Sequence, residues 1–336
     1  MAIGLALILL AVLFGPVLCK PIERNIEVLF LLAGTLTAIL TGQMGRPLLH
    51  AATTEPIALT IAVLVFGVVI RAMRARLDGW IARLLAVMSA RWVYFFLIVV
   101  LGLLASVITA VIAALVLVEA IALLDLERRS EIAAVVLACF AIGLGAALTP
   151  IGEPLSTIAI AALHADFWYL MRLLGPLVVC GIVMVGVISL VLPVRHGNAL
   201  KAERDDEPWS EVILRAIKVY LFVAGLVCLS WGLRPLAEGY ISKIPGALLF
   251  WINGLSAVVD NATLTAAEVG PSLARAQQRA VLMGLLISGG ILIPGNIPNI
   301  VAAGRLGIGS REWARVGVIV GVPLMALCFV VLWAIS

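Results

Sequence analysis

The stretch GLSAVVDNATLTA, residues 254–266, sets Asp260 and Asn261 side by side inside an apolar run that extends over 244–268. An ionised Asp at membrane depth costs about 2.5–3.5 kcal/mol on insertion scales, so it belongs in a protein-lined or watery interior and marks function by default. The rest of the chain is of membrane type. Of 336 residues, 63% are hydrophobic and 12% are charged, about half the charged share of a soluble domain. Only helices or a closed barrel satisfy backbone groups in lipid. The apolar runs are continuous rather than alternating, so they predict helices.

Working outward, eight crossing helices are predicted near 1–19, 25–42, 54–70, 131–165, 174–193, 215–233, 280–304 and 316–335. Residues 1–19 have no basic residue ahead of the apolar run and no convincing cleavage site, so they read as a transmembrane helix rather than a leader. Two stretches do not behave as single spans. Residues 92–124 are too long for one crossing of about 20 residues and too short for two with a turn. Residues 244–268 carry Gly254, Asp260 and Asn261 at their middle. Both predict re-entrant hairpins, which persist only where protein or a watery cavity surrounds the tip. The expected fold is an all-α polytopic membrane protein, with about eight transmembrane helices and two re-entrant hairpins.

Charge gives the orientation. With the N-terminus outside and both hairpins returning to the side they left, 17 of the 23 Lys and Arg residues fall in cytoplasmic segments, between 20–24, 71–91, 128–129, 195–218 and 305–315. This bias is the positive-inside rule, and an extra crossing at either hairpin would scramble it. Both termini are then outside, in a multi-pass protein of the inner membrane. The net charge of +4 reflects these topology signals and implies no nucleic-acid partner. Membrane lipids and a small ion are the expected partners. Segment 71–91 predicts an amphipathic helix on the cytoplasmic face, with Arg71, Arg74, Arg76, Arg83 and Arg91 among apolar residues. The polar stretch 195–211 is the linker between halves. The expected organisation is 1–53, N-terminal helices; 54–194, first repeat; 195–214, linker; 215–336, second repeat. The five cysteines have no CxxC spacing and read as small apolar fillers.

The halves repeat one pattern. Gly102, Leu103, Ala105, Val107, Ala110 and Ala114 of the first hairpin match Gly254, Leu255, Ala257, Val259, Ala262 and Ala266 of the second. Each hairpin is followed by a helix broken by a Pro-x-x-x-Pro loop, TPIGEP at 149–154 and IPGNIP at 293–298. One hairpin enters from the cytoplasm and the other from outside, so the copies have inverted topology. Interrupted helices in corresponding positions of inverted repeats point to a transporter site near the midplane.

Proline lacks an N–H and blocks a helical carbonyl, so each loop leaves backbone groups free to meet an ion. Around them lie Asp260, Asn261, Ser256 and Thr263 of the second hairpin. Thr109 at the first hairpin tip, Thr149, Glu153 and Ser156 of the first loop, and Asn296 and Asn299 of the second complete the candidate set. Asp260 and Asn261 are the tentative sodium ligands. Burial disfavours a charged carboxylate, so a proton and a cation can compete for Asp260, a sufficient mechanism for exchange. Capping the second hairpin limb is a compatible structural role for the same pair. Glu119 reads as solvated or interhelical near the cytoplasmic mouth, and Glu268 as solvated near the outer one. His50, His164 and His196 fall at predicted boundaries and suggest no relay.

The runs SAVVDNATLTAA at 256–267 and LTPIGEP at 148–154, and more loosely PGNIP at 294–298, resemble the ion transporter superfamily of arsenite permeases, sodium/proton antiporters and sodium-coupled dicarboxylate carriers. The similarity covers roughly 90–310 and extends to an uncharacterised group of cation antiporters. The resemblance implies two hairpins and two broken helices meeting at a central site, in a homodimer. The chain departs from the family in its fewer crossings and in lacking the Ser-Asn-Thr triplet of dicarboxylate carriers at the first tip. No Arg or Lys lies at either tip. The expected function is therefore a sodium (monovalent cation)/proton antiporter with no resident cofactor. The alternative is sodium-coupled transport of a small oxyanion or organic acid. An intramembrane hydrolase would need paired Asp, a Ser/His dyad or an HExxH site, and a channel would need rings of one charge. Neither pattern is present, so no enzyme is expected.

Overall fold

The computed structural model describes the chain except at residues 1, 20, 23–24, 58–59, 62–63, 66–67, 69–82, 84–86, 125, 192–208, 241–244, 255–260, 271–272 and 335–336. The described elements are helices: α1 (Ala2–Leu18), α2 (Ile26–Leu40), α3 (Ala90–Ile108), α4 (Ala110–Leu123), α5 (Arg128–Ala146), α6 (Pro154–Ala162) and α7 (Tyr169–Val191). After these come α8 (Trp209–Tyr240), α9 (Gly246–Ile252), α10 (Asn261–Glu268), α11 (Arg275–Gly289), a 3-10 turn at Ile293–Gly295, α12 (Ile297–Leu306) and α13 (Ser310–Ala334). Residues 46–57 are also helical.

Among the described residues, five helices are long and apolar enough to cross a membrane: α3, α5, α7, the Ala216–Leu233 part of α8, and α13. Their outward faces are apolar. Val179, Val183, Val187 and Val191 form a four-residue stripe along α7, and Ile319, Val322, Val330 and Trp333 do the same on α13. Such a surface suits lipid and not water. The protein is an all-α bundle of membrane type.

The helix α5 is the centre. Its sequence is apolar on every side and rich in Ala and Gly, and a helix hydrophobic all round is a buried one. Every residue from Ala134 to Ala146 is buried. Around it pack α3, α4, α7, α11, α12 and α13. Small residues set the spacing. A Cβ on Gly145 would stand 1.7 Å from the Gly102 carbonyl oxygen, so α3 and α5 touch backbone to backbone there. Replacing Gly145 by Ala is expected to force the two helices apart, at a cost of about 1–3 kcal/mol. The measurement is the thermal midpoint of the detergent-purified protein, and an unchanged midpoint would contradict the contact. On the far side, Gly34 and Gly225 let α2 lie directly on α8, a Cβ on Gly34 falling 2.2 Å from the Gly225 carbonyl oxygen. Close approach through small residues is the common way membrane helices associate.

Packing between the two parts of the chain is reciprocal. The helix α3 packs on α5 as α9 packs on α11, and α4 on α12 as α10 packs on α6. Likewise α5 meets α7 and α13, and α11 meets α13 and α7.

The helices expected over 131–165 and 280–304 are interrupted where the Pro-x-x-x-Pro loops predict, between Ala146 and Pro154 and between Gly289 and Ile297. The run 92–124 divides at Thr109 into limbs of 19 and 14 residues. The first limb is roughly 28 Å long at 1.5 Å per residue, so it has the length of a crossing helix by itself. The span expected near 215–233 belongs to a longer helix of 32 residues. About half of the span expected over 54–70, and most of the amphipathic segment 71–91 and of the linker 195–211, lie outside the described residues.

Candidate functional site

The break after α3 is where the polar groups begin. Thr109 has φ 74 and ψ 149, a conformation disfavoured for a side chain with a branched Cβ and costing about 1–3 kcal/mol. Its surroundings hold it there. The Thr109 hydroxyl accepts from the Ile112 N–H at 3.4 Å and so caps α4. The Ala110 N–H donates to the Gly152 carbonyl at 2.9 Å. The Thr149 hydroxyl donates to the Ser106 carbonyl and accepts from the Ile151 N–H at 3.3 Å. The first hairpin tip and the first proline loop are therefore stitched together by hydrogen bonds. The groups that Pro150 and Pro154 strip of helical partners find them there and within the loop. The Ser156 hydroxyl donates to Ala146 at 3.4 Å, and that of Thr157 to Pro150 at 2.8 Å. Gly152 lacks a side chain because a Cβ would fall 2.0 Å from the Ala146 carbonyl oxygen. Glu153 is buried at the N-cap position of α6, with an extended backbone.

The second loop is held by its own asparagines. The Asn296 carboxamide oxygen accepts from the Ile297 N–H at 2.9 Å and caps α12. Its Nδ2 lies 2.5 Å from where a Cβ on Gly143 would stand, so it reaches across to α5. The Asn299 Nδ2 donates to the carbonyls of Gly289 at 2.8 Å and Leu292 at 2.9 Å, both freed by the break. Its Oδ1 is buried and accepts no hydrogen bond among the described residues. Asn261 opens α10 and rests on Gly289, its Nδ2 2.3 Å from the position of a Cβ there.

Of the sequence candidates, Thr149, Glu153, Ser156, Asn261, Asn296 and Asn299 are all buried in this otherwise apolar bundle. Thr109 is half-buried. The contacts link the first hairpin tip to the first loop, Asn261 to the second loop, and the second loop to α5. Asp260 and Ser256 lie outside the described residues, as does the side chain of Thr263.

A cavity of about 600 Å³ approaches the second loop. Ile300, Ala303 and Gly304 of α12 form one wall, and Ile293 stands at the loop itself. The far end carries Arg311 and Glu312, with Lys218 and Glu27 paired at 3.0 Å. At that end the α12 terminus is tied down twice. Arg305 bonds Glu119 of α4 at 2.7 Å, with both side chains about 15% exposed or less. Arg128 of α5 bonds Glu312 at 2.7 Å and the carbonyls of Leu306 at 3.0 Å and Gly307 at 2.7 Å. Glu119 is thus an interhelical group.

Glu268 is a correction. Expected to be solvated, it is only 7% exposed, and its carboxylate accepts from Asn253 Nδ2 at 2.9 Å. Asn253 is buried too, and neither sequence spacing nor periodicity signals their meeting.

Long apolar helices, an apolar exterior and a buried polar centre where helices break define an all-α protein of the membrane class. Within that class the chain belongs to DUF1646, a family described as of unknown function, whose model matches residues 2–335. A comparison with curated proteins finds no match.

Proposed function

We propose that the protein is a secondary active transporter, a sodium (monovalent cation)/proton antiporter working by alternating access at a midplane site. The observation that carries this reading is the burial of six polar side chains where hairpin and broken helix meet, with the Asn299 Oδ1 an acceptor without a donor among the described residues. A desolvated cation offers what such an oxygen lacks. No Arg or Lys is among these six side chains, which favours a cation over an anion.

The reciprocal packing of α3–α7 and α9–α13 supports two inverted repeats with the hairpins as re-entrant elements. The cavity supports access from one side at a time. It runs from the end bearing Lys218 and Arg311, the cytoplasmic end by the charge bias, to Ile293. This reading puts both termini outside, the chain in the inner membrane, and the working unit as the homodimer that the resemblance implies.

In it Asp260, next to Asn261 in the chain, is the exchanging carboxylate. Replacing Asp260 by Asn is expected to abolish pH-driven sodium exchange in proteoliposomes while the purified protein remains monodisperse. Full exchange in that variant overturns the site. Sodium-dependent transport indifferent to a proton gradient would instead identify a sodium-coupled carrier.

A further inference from the structure

Asn253 and Glu268 stand apart from the polar centre: Asn253 closes the C-terminal end of α9, on the side of the tip, and Glu268 is the last residue of α10, on the side away from it. The Asn253 amide is oriented by its bonds. Its Nδ2 donates to Glu268 Oε2 at 2.9 Å and to the Val281 carbonyl of α11 at 3.3 Å. A main-chain carbonyl only accepts, so the nitrogen must face it and the oxygen must face away. That leaves two buried oxygens, Asn253 Oδ1 and Glu268 Oε1, with no hydrogen-bond partner among the described residues. Asn253 is 1% exposed and Glu268 7%.

Two acceptors cannot satisfy each other, and a buried group left without a partner costs about 1–3 kcal/mol, more if it is charged. One added hydrogen resolves both. A protonated carboxyl is a donor as well as an acceptor. Paired with a primary amide it closes a ring of two hydrogen bonds, here Nδ2–H to Oε2, which is present, and Oε1–H to Oδ1, which the proton would supply. Removing that proton breaks the second bond and leaves a negative charge in a buried place. Among the described residues no charged side chain compensates it. Asn253 provides the one hydrogen bond to Glu268, and no ionic partner acts on it among the described residues. Of the helices packed on α10, α6 carries no ionisable side chain, and α11 carries exposed Arg275 and half-buried Arg279. Glu211, Arg215 and Lys218 lie early in α8, and Arg234 and Glu238 late in it.

We infer that Glu268 and Asn253 form a proton-binding site between the two limbs of the second hairpin, one that loads and releases a proton during transport. Its place in the cycle rests on the antiporter reading, whereas proton binding itself does not. Glu268 ends the limb that, in that reading, returns to the outside. Protonation ties α9 to the end of α10 through the ring, and deprotonation loosens that tie.

The test is infrared difference spectroscopy of the full-length protein in lipid, between acid and alkaline buffers. The wild type is expected to lose a protonated-carboxyl carbonyl band on alkalinisation, and Glu268→Gln to lack that component. Asn253→Ala is expected to keep the band but move it to higher frequency, since the acid has lost its ring partner. A wild-type band unaffected by Glu268→Gln overturns the site, and one unshifted by Asn253→Ala overturns the ring. In proteoliposomes Glu268→Gln, permanently neutral yet still able to donate to Oδ1, is expected to lose the pH dependence of exchange. An unchanged pH profile overturns its place in the cycle. Should Asp260→Asn exchange normally, the central cation site falls, while the infrared result, read without transport, still decides the proton site.

Discussion

Replacing Arg305 by Ala is expected to destabilise the protein by about 3–5 kcal/mol, because Glu119 is left as a buried charge without its partner. The pair is 2.7 Å apart, with side-chain exposures of 14% and 15%, so solvent screens it little. It joins α4 to α12, the helix that forms one wall of the cavity's approach to the second loop. Desolvating two charges offsets most of what the pair gains by attraction, so the penalty comes from breaking it and not from its absence. The consequence is a specific pattern in a double-mutant cycle. Glu119→Ala alone should be costly, but in an Arg305→Ala background it should cost far less or restore stability. Thermal unfolding of the purified single and double variants measures this. Additive losses would show that the two side chains do not act on one another.

Asn299→Leu is the second large effect. The Gly289 carbonyl depends on the Asn299 amide because the helix that would have supplied an N–H donor stops at Gly289. The Leu292 carbonyl accepts from the same amide and, at 3.3 Å, from the Gly295 N–H. Leucine fills the space and offers no donor. A buried carbonyl left unmatched costs about 1–3 kcal/mol, and in lipid no water is at hand to replace the lost bond. The substitution also removes Oδ1, the acceptor without a donor. Both the thermal midpoint and sodium exchange are therefore expected to fall. Asn299→Asp separates the two effects. It keeps an oxygen for a cation but loses the N–H groups and turns an acceptor toward two carbonyls, so it should be at least as unstable as Leu. A normal midpoint in either variant would mean that the carbonyls have other donors.

What was legible in the sequence followed from covalent chemistry. Pro150, Pro154, Pro294 and Pro298 have no N–H to give, so the interruptions of the helices expected over 131–165 and 280–304 were readable before any contact was known. The candidates Thr149, Glu153, Ser156, Asn261, Asn296 and Asn299 were readable because polar groups among apolar runs are few. The division at Thr109 was less so. No Gly or Pro marks it, and the Thr109 conformation is held by bonds from a loop some forty residues on, through Ala110 to Gly152 and Thr149 to Ser106. The roles of the asparagines also differ from the expectation of ion ligands alone. Asn296 caps α12 and Asn299 repairs the break after α11, so each does backbone work that only the folded loop defines.

By itself the sequence determined an all-α chain of membrane type, its long apolar helices, and the positions where those helices must break. These depend on apolar length, on the charge of connecting segments and on proline, which are properties of local chain. Tertiary structure alone decided that α5 is the centre, that Arg305 meets Glu119, and that Glu268 is buried against Asn253 rather than solvated. Burial and pairing arise where distant segments converge, and spacing along a chain does not specify which faces will meet.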